Sequence, residues 1–287
     1  MKNHPSNLHI GTDSWSHKDW EGVFYHEGTK QADYLVEYAT HYSTVEVDST
    51  FYRIPSEKVV TAWRDKTPEG FIFSAKVPRA ITHWESDDAK KRLAFFLSRM
   101  GQLGDKLGPL LFQFRYYSKS EITGADEFIE RMRPILADLP KDYRFALETR
   151  NKDWLTEKFL GVLRKYQIAL ALTDHPWMEK IDRLMERLDV VTADFCYIRW
   201  LGDRKKIRQQ TDRFDTLIVD RSREMNLWLP AVKQLLDRDI PVFGYFSNHY
   251  AGYAPGSIEL FEKMWASLFP NRSAVPRSGP RSAQRPS

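Results

Sequence analysis

The chain has 287 residues, 42% hydrophobic and 14% aromatic, enough for a sizeable core and too many for wholesale disorder. Its net charge of +4 equals that of the acid-free tail NRSAVPRSGPRSAQRPS, which holds Arg272, Arg277, Arg281 and Arg285, so residues 1–270 are neutral and the body is not globally basic. The lone Cys196 excludes an intrachain disulfide, the opening MKNHPSNLHIG lacks the apolar core of a signal peptide, and no run nears ~18 apolar residues; together these predict a cytoplasmic protein with no membrane span.

Short apolar strand candidates recur along the chain, with room for a helix between them. LHIGTDSW at 8–15 is followed by the helix-like QADYLVEYATHY, then by TVEVDSTFY at 44–52 and FIFSAKVP at 71–78. DDAKKRLAFFLSRMGQL leads to GPLLFQF at 108–114, and GADEFIERMRPILADL to YRFALETR at 143–150. DWLTEKFLGVLRKY precedes QIALALTD at 167–174. FCYIRWLG at 195–202 and PVFGYFSN at 241–248 flank SREMNLWLPAVKQLLDR. In the helical stretches apolar residues return every three or four positions. Asp87, Asp126 and Asp153 read as caps or first-turn acids.

Alternating strands and helices imply parallel strands joined by right-handed crossovers. Eight strands in this length predict an α/β chain forming a single (β/α)8 TIM barrel over 1–270, with a disordered basic C-terminal tail at 271–287. A doubly wound open sheet is the alternative, but IGTDSW supplies no G-x-G-x-x-G phosphate loop.

The barrel explains an odd feature of VEVDSTFY. Val45 and Val47 should face helices, whereas Glu46, Asp48 and Thr50 should face inward and toward the C-terminal mouth, where barrel enzymes build their sites. The same alternation aims Lys76, Gln113, Glu148, Arg150, Asp174, Arg199 and Asn248 at one end. Burying charge is costly unless it is paired or used. The competing reading is a structural network in which Glu46, Asp48, Glu148 and Asp174 pair with Lys76, Arg150 and Arg199.

The stretches IGTDSWSHKDWEGVFY, STVEVDSTFYRIPS, FIFSAKVPRAITH, LGPLLFQF, ALETR, YIRWLG and YFSNHYAGYAP, in this order over about residues 8 to 268, resemble the family catalogued as domain of unknown function 72. The resemblance implies a TIM barrel of prokaryotic type and supplies no reaction. Its motif positions match Trp15, Glu46, Thr50, Phe51, Tyr52, Lys76, Pro78, His83, Gln113, Glu148, Arg150, Arg199 and Asn248. Two departures concern loops: Arg115-Tyr116-Tyr117 stands where members often have proline, and Ser247-Asn248 where many have paired asparagines.

Chemically, Glu46 and Glu148 are the expected acid–base pair, with Lys76 as a charged partner or amine nucleophile. Arg79, Arg150 and Arg199 suit bidentate capture of a carboxylate or phosphate. Trp15, Asp48, Thr50, Tyr52, His83, Gln113, Asp174 and Asn248 complete the expected binding set. No cofactor is required by the sequence. Glu46, Glu148, Asp174 and His249 could surround a divalent metal, but HExxH, CxxC and close histidine pairs are absent. Aromatics expected near the mouth are Trp15, Trp20, Tyr25, Phe51, Tyr52, Trp84, Tyr116, Tyr117, Trp154, Trp177 and Tyr253. The reading is an enzyme doing acid–base or hydrolytic chemistry on a small anionic or polyhydroxy substrate. The alternative is a nucleic-acid-binding or other non-catalytic barrel, drawn from the basic tail, the basic loop GDRKKIRQQTDRFD and the rim aromatics. If Glu46 is held for chemistry, Glu46→Gln should leave the thermal midpoint unchanged or raised.

Overall fold

The computed structural model describes residues 4–83 and 88–270. The expected tail, Trp84 and Asp87 lie outside the described residues.

All eight expected strands form: β1 Leu8–Thr12, β2 Thr44–Val47, β3 Ile72–Lys76, β4 Leu107–Gln113, β5 Phe145–Glu148, β6 Ile168–Asp174, β7 Cys196–Trp200 and β8 Val242–Phe246. Each runs parallel to its sequence neighbour from β2 to β8, and β8 returns to pair with β1. This is the α/β barrel that the alternation predicted.

The helices are α1 Tyr34–His41, α2 Glu57–Asp65, α3 Arg79–Thr82, α4 Ala89–Met100, α5 Ala125–Leu136 and α6 Glu157–Tyr166. They continue with α7 Ile181–Arg187, α8 Arg204–Gln210, α9 Ser222–Asp237, α10 Asn248–Ala251 and α11 Ala254–Leu268. None of them is long and apolar enough to cross a membrane. Asp126 does lie in the first turn of α5, but Asp153 sits in a 3-10 turn, and Thr156 caps α6 by accepting from the Phe159 N–H.

Strand alternation divides the apolar residues between two cores. Val45, Val47, Phe73, Leu110, Phe112, Leu147, Leu172, Ile198 and Trp200 face outward onto the helices. The interior is filled by Leu111, Ala146, Ala169, Ala171, Phe195, Tyr197, Phe243 and Tyr245. Small residues on β5 and β6 leave room for the large rings of β7 and β8, which fills a barrel without voids.

Among the described residues β1 and β2 share no backbone ladder, and side chains bridge this seam. The buried Tyr38 hydroxyl accepts from the Thr12 N–H at 3.0 Å and donates to the Thr44 carbonyl at 3.0 Å. Glycine is needed at Gly11 because a Cβ there would lie 2.1 Å from the Thr44 carbonyl oxygen. The seam brings the ends of β1 and β2 together under the mouth.

Candidate active site

The barrel interior becomes polar as it rises toward the strand C-termini. The Tyr245 hydroxyl sits between Thr44 Oγ1 at 2.9 Å and Ser74 Oγ at 2.7 Å. Above it lies a charge layer whose centre, Glu46, Glu148 and Arg199, is fully buried. Arg199 donates through Nη2 to Glu46 Oε1 and through Nη1 to Glu148 Oε2, each at 2.7 Å. Glu46 also accepts from the Tyr197 hydroxyl at 2.7 Å, and Arg199 Nη1 reaches Gln113 Oε1 at 2.9 Å. Arg150 closes the layer with Nη2 2.7 Å from Glu148 Oε1. Burial opposes ionisation of Glu148, but Arg150 and Arg199 overcome it and hold its pKa down at about 2. Glu46 and Glu148 in turn keep Arg199 firmly protonated against its burial.

A second, more open layer lies above. Lys76 donates to Asp48 and stands 3.6 Å from Glu46. Asp48 is held ionised below its usual range: its burial opposes this, and Lys76 outweighs the burial. Asp13, half-buried just past β1, feels the charges of both layers. Burial, with the charges of Asp48 and Glu46 adding and Lys76 and Arg199 opposing, raises its pKa to about 6. Of three histidines near the rim, His17 and His175 stand in the loops after β1 and β6, and His249 lies in α10 after β8. Burial, more than any neighbouring charge, lowers each to about 4, so all three are neutral at neutral pH. The Thr173 hydroxyl is buried with no hydrogen-bond partner, in register with Arg199.

The structure therefore gathers Glu46, Asp48, Lys76, Gln113, Glu148, Arg150 and Arg199 as expected from the alternation. It moves others away. Asp174 continues the outward face of Leu170 and Leu172, so it points toward α9 and accepts from Trp228 Nε1 at 2.9 Å. The strand period itself forbids the mouth placement, which belongs to Thr173. Thr50 turns back in a 3-10 turn, and its hydroxyl is shared between the carbonyls of Val47 at 2.9 Å and Lys76 at 2.7 Å. Asn248 begins α10 beyond the strand, and its Oδ1 accepts from the Ala254 N–H at 2.9 Å. The Trp15 ring packs edge-on against Trp63 and the outward Phe73. Tyr52 is 68% exposed, Arg79 is exposed in α3, and His83 packs on Phe51. Trp20, Tyr25 and Trp154 are core residues, whereas Tyr116 and Trp177 are exposed. Among the described residues no group of three or more His, Cys, Asp or Glu is placed to hold a metal ion. The basic loop folds into α8, with Asp203 capping it.

Asp13 is the residue that sequence reading missed. Its signal was present: His9 and Gly11 precede it at the inward period, and His9 stacks on the interior Phe243 at 4.7 Å.

Residues 9–281 match the family described as protein of unknown function DUF72. The chain belongs to this family. A relative, UPF0759 protein YunF of Bacillus subtilis, is 29% identical over 288 residues, covering 92% of this chain and 98% of its own. UPF0759 protein YecE of Escherichia coli is 28% identical over 154 residues, covering 52% of this chain and 51% of its own, so the chain spans about half the length of that relative. A DUF72 family crystal structure from Thermotoga maritima matches 90% of this chain and 98% of its own, at 24% identity and a TM-score of 0.69. One from Enterococcus faecalis matches 90% and 96%, at 23% identity and a TM-score of 0.63. These two likenesses support the DUF72 fold alone.

Proposed function

We propose that the barrel mouth is the active site of an enzyme that moves a proton on a small polyhydroxy substrate bearing an anionic group. The observation that supports this is Asp13, a half-buried carboxyl just past β1 that burial and the charges of Asp48, Lys76, Glu46 and Arg199 act on. A group titrating near 6 can hold or release a proton at working pH, which is what general acid–base catalysis needs. Asp13 is the proton carrier. Lys76 stabilises negative charge that develops beside it. Arg150 and the free amide of Gln113, whose oxygen is taken by Arg199, hold the anionic group.

This reading reassigns Glu46 and Glu148. Glu148 stays ionised far below neutral pH, and both carboxylates are committed to Arg199, so they position the guanidinium and Arg150 instead of shuttling protons. The test is turnover by wild type and Asp13→Asn across phosphoester, glycoside and sugar-isomerisation panels. The active class should lose about 100-fold or more in the variant, the scale of general acid–base catalysis. Equal turnover in both proteins removes Asp13 from the mechanism.

A further inference from the structure

A cleft of about 1270 Å³ lies between the loops that follow β4, β5 and β6. Ordinary small-molecule pockets occupy ~300–1,000 Å³, so this one has room for a ligand of two chemically distinct parts. Arg150 lines it and also closes the buried charge layer of the mouth, whereas Asp13, Asp48 and Lys76 do not line it.

Two exposed rings meet edge to face there. Tyr116 is 51% and Trp177 is 62% exposed, with centroids 6.2 Å apart at 73°. The backbone under each ring is tied down. Asn151, itself buried, accepts from the Tyr117 N–H at 3.0 Å and donates to the Tyr117 carbonyl at 2.8 Å, which fixes the Tyr116 loop to the β5 loop. The Trp177 N–H donates to His175 Nδ1 at 3.2 Å. Rigid, solvent-facing aromatics of this kind offer stacking area at low entropic cost.

The charge of the cleft is one-sided although the body is neutral. Lys119, Lys152, Lys180 and Arg183 line it, and among the described residues none of the four forms an ion pair. Its acids are Asp153 and Glu179, and Glu179 is already engaged by Arg187 at 2.6 Å. Unpaired cations beside exposed aromatic rings match a flat ring joined to a phosphate.

We infer that the cleft binds a nucleotide as a small molecule, its ring against Trp177 and Tyr116 and its phosphate on Lys180 and Arg183. The inference goes beyond the proton-transfer reading and holds even if Asp13 is catalytically silent, because its test measures binding and not turnover.

The experiment is calorimetric titration of the full-length protein with adenosine 5′-monophosphate, adenosine, ribose 5-phosphate and a short single-stranded oligonucleotide, with tryptophan fluorescence in parallel. The monophosphate should bind and quench fluorescence, and each fragment should bind about tenfold or more weakly, since stacking and charge-assisted bonds each contribute on that scale. Trp177→Ala should weaken the monophosphate and adenosine alike by about tenfold. Arg183→Ala should weaken only the phosphate-bearing probes. Both side chains are exposed, so the variants should keep the wild-type thermal midpoint. No binding of the monophosphate at millimolar concentration overturns the inference. So does affinity indifferent to both substitutions, or tight oligonucleotide binding without mononucleotide binding.

Discussion

Two layers of ionisable groups share one barrel mouth, and the burial of their carboxylates separates them. In the lower layer Glu46, Glu148 and Arg199 are at most 2% exposed, and every charge has a partner. In the upper layer the Asp48 side chain is 38% exposed and Asp13 is half-buried, with its proton held to about pH 6. Convergence of charge marks the mouth, but only satisfaction of that charge distinguishes what builds the site from what is left for a substrate. The ion-pair network and the proposed active site are therefore not rival readings of one set of residues. They are two storeys of the same structure.

The largest expected effect breaks the lower storey. Arg199→Leu leaves Glu46 and Glu148 buried without their shared counter-ion, and each such loss costs ~3–5 kcal/mol, against ~5–15 kcal/mol for the stability of a typical domain. The variant should fail to accumulate as a folded barrel, which circular dichroism reads directly. Glu46→Gln comes next. The sequence alone leads to the expectation of an unchanged or raised midpoint. With Arg199 and Tyr197 both donating to Glu46, the expectation is a loss of ~3 kcal/mol or more in denaturant unfolding. An unchanged midpoint would move Glu46 to the upper storey and erase the comparison.

The fold and the lower storey were legible in the sequence because both follow from period-two alternation. The same rule explains the errors. The alternation as read in the sequence aims Asp174 at the mouth, although that residue shares the outward parity of Leu170 and Leu172. Thr50 and Asn248 reach the mouth only if their strands run on, but β2 ends at Val47 and β8 at Phe246. Asp13 is lost among the turn residues of TDSW, where one carboxylate is ordinary until the Gly11 seam brings β1 against β2. The cleft was legible only in its aromatics, expected near the mouth, and not as a cavity. Tyr116 and Trp177 lie in different loops, and only packing makes them neighbours.

Asp13 gives a pH test of intermediate size. Its pKa is raised from about 4 in the unfolded chain to about 6 in the fold, so the folded state binds the extra proton in that window. Stability from this group is therefore full below about pH 4 and falls as pH rises through about 6. Every tenfold gain in proton affinity corresponds to ~1.4 kcal/mol, so the loss approaches ~3 kcal/mol by neutral pH. Asp13→Asn lacks the titration. Its midpoint should match wild type near pH 4 and exceed it at pH 7.5. A constant difference across that range would mean that Asp13 is solvated like an ordinary surface carboxylate.

The smallest stability effect sharpens the boundary between the storeys. Lys76 touches groups in both, pairing with Asp48 and standing 3.6 Å from Glu46. If it belongs to the upper storey, Lys76→Met should cost ~1 kcal/mol or less, because the part-exposed Asp48 can be rehydrated and a buried ammonium gives way to an apolar side chain of similar length. Glu46 keeps Arg199 and Tyr197 and is not left unpaired. The substitution should instead be felt by Asp13. Lys76 opposes the rise in the Asp13 pKa, so removing the ammonium should push that carboxyl higher still. Carbon-detected titration of the Asp13 carboxyl would show the midpoint moving up from wild type. A stability loss as large as that of Glu46→Gln, with the Asp13 titration unmoved, would place Lys76 in the buried network and leave Asp13 with no electrostatic partner in the chemistry.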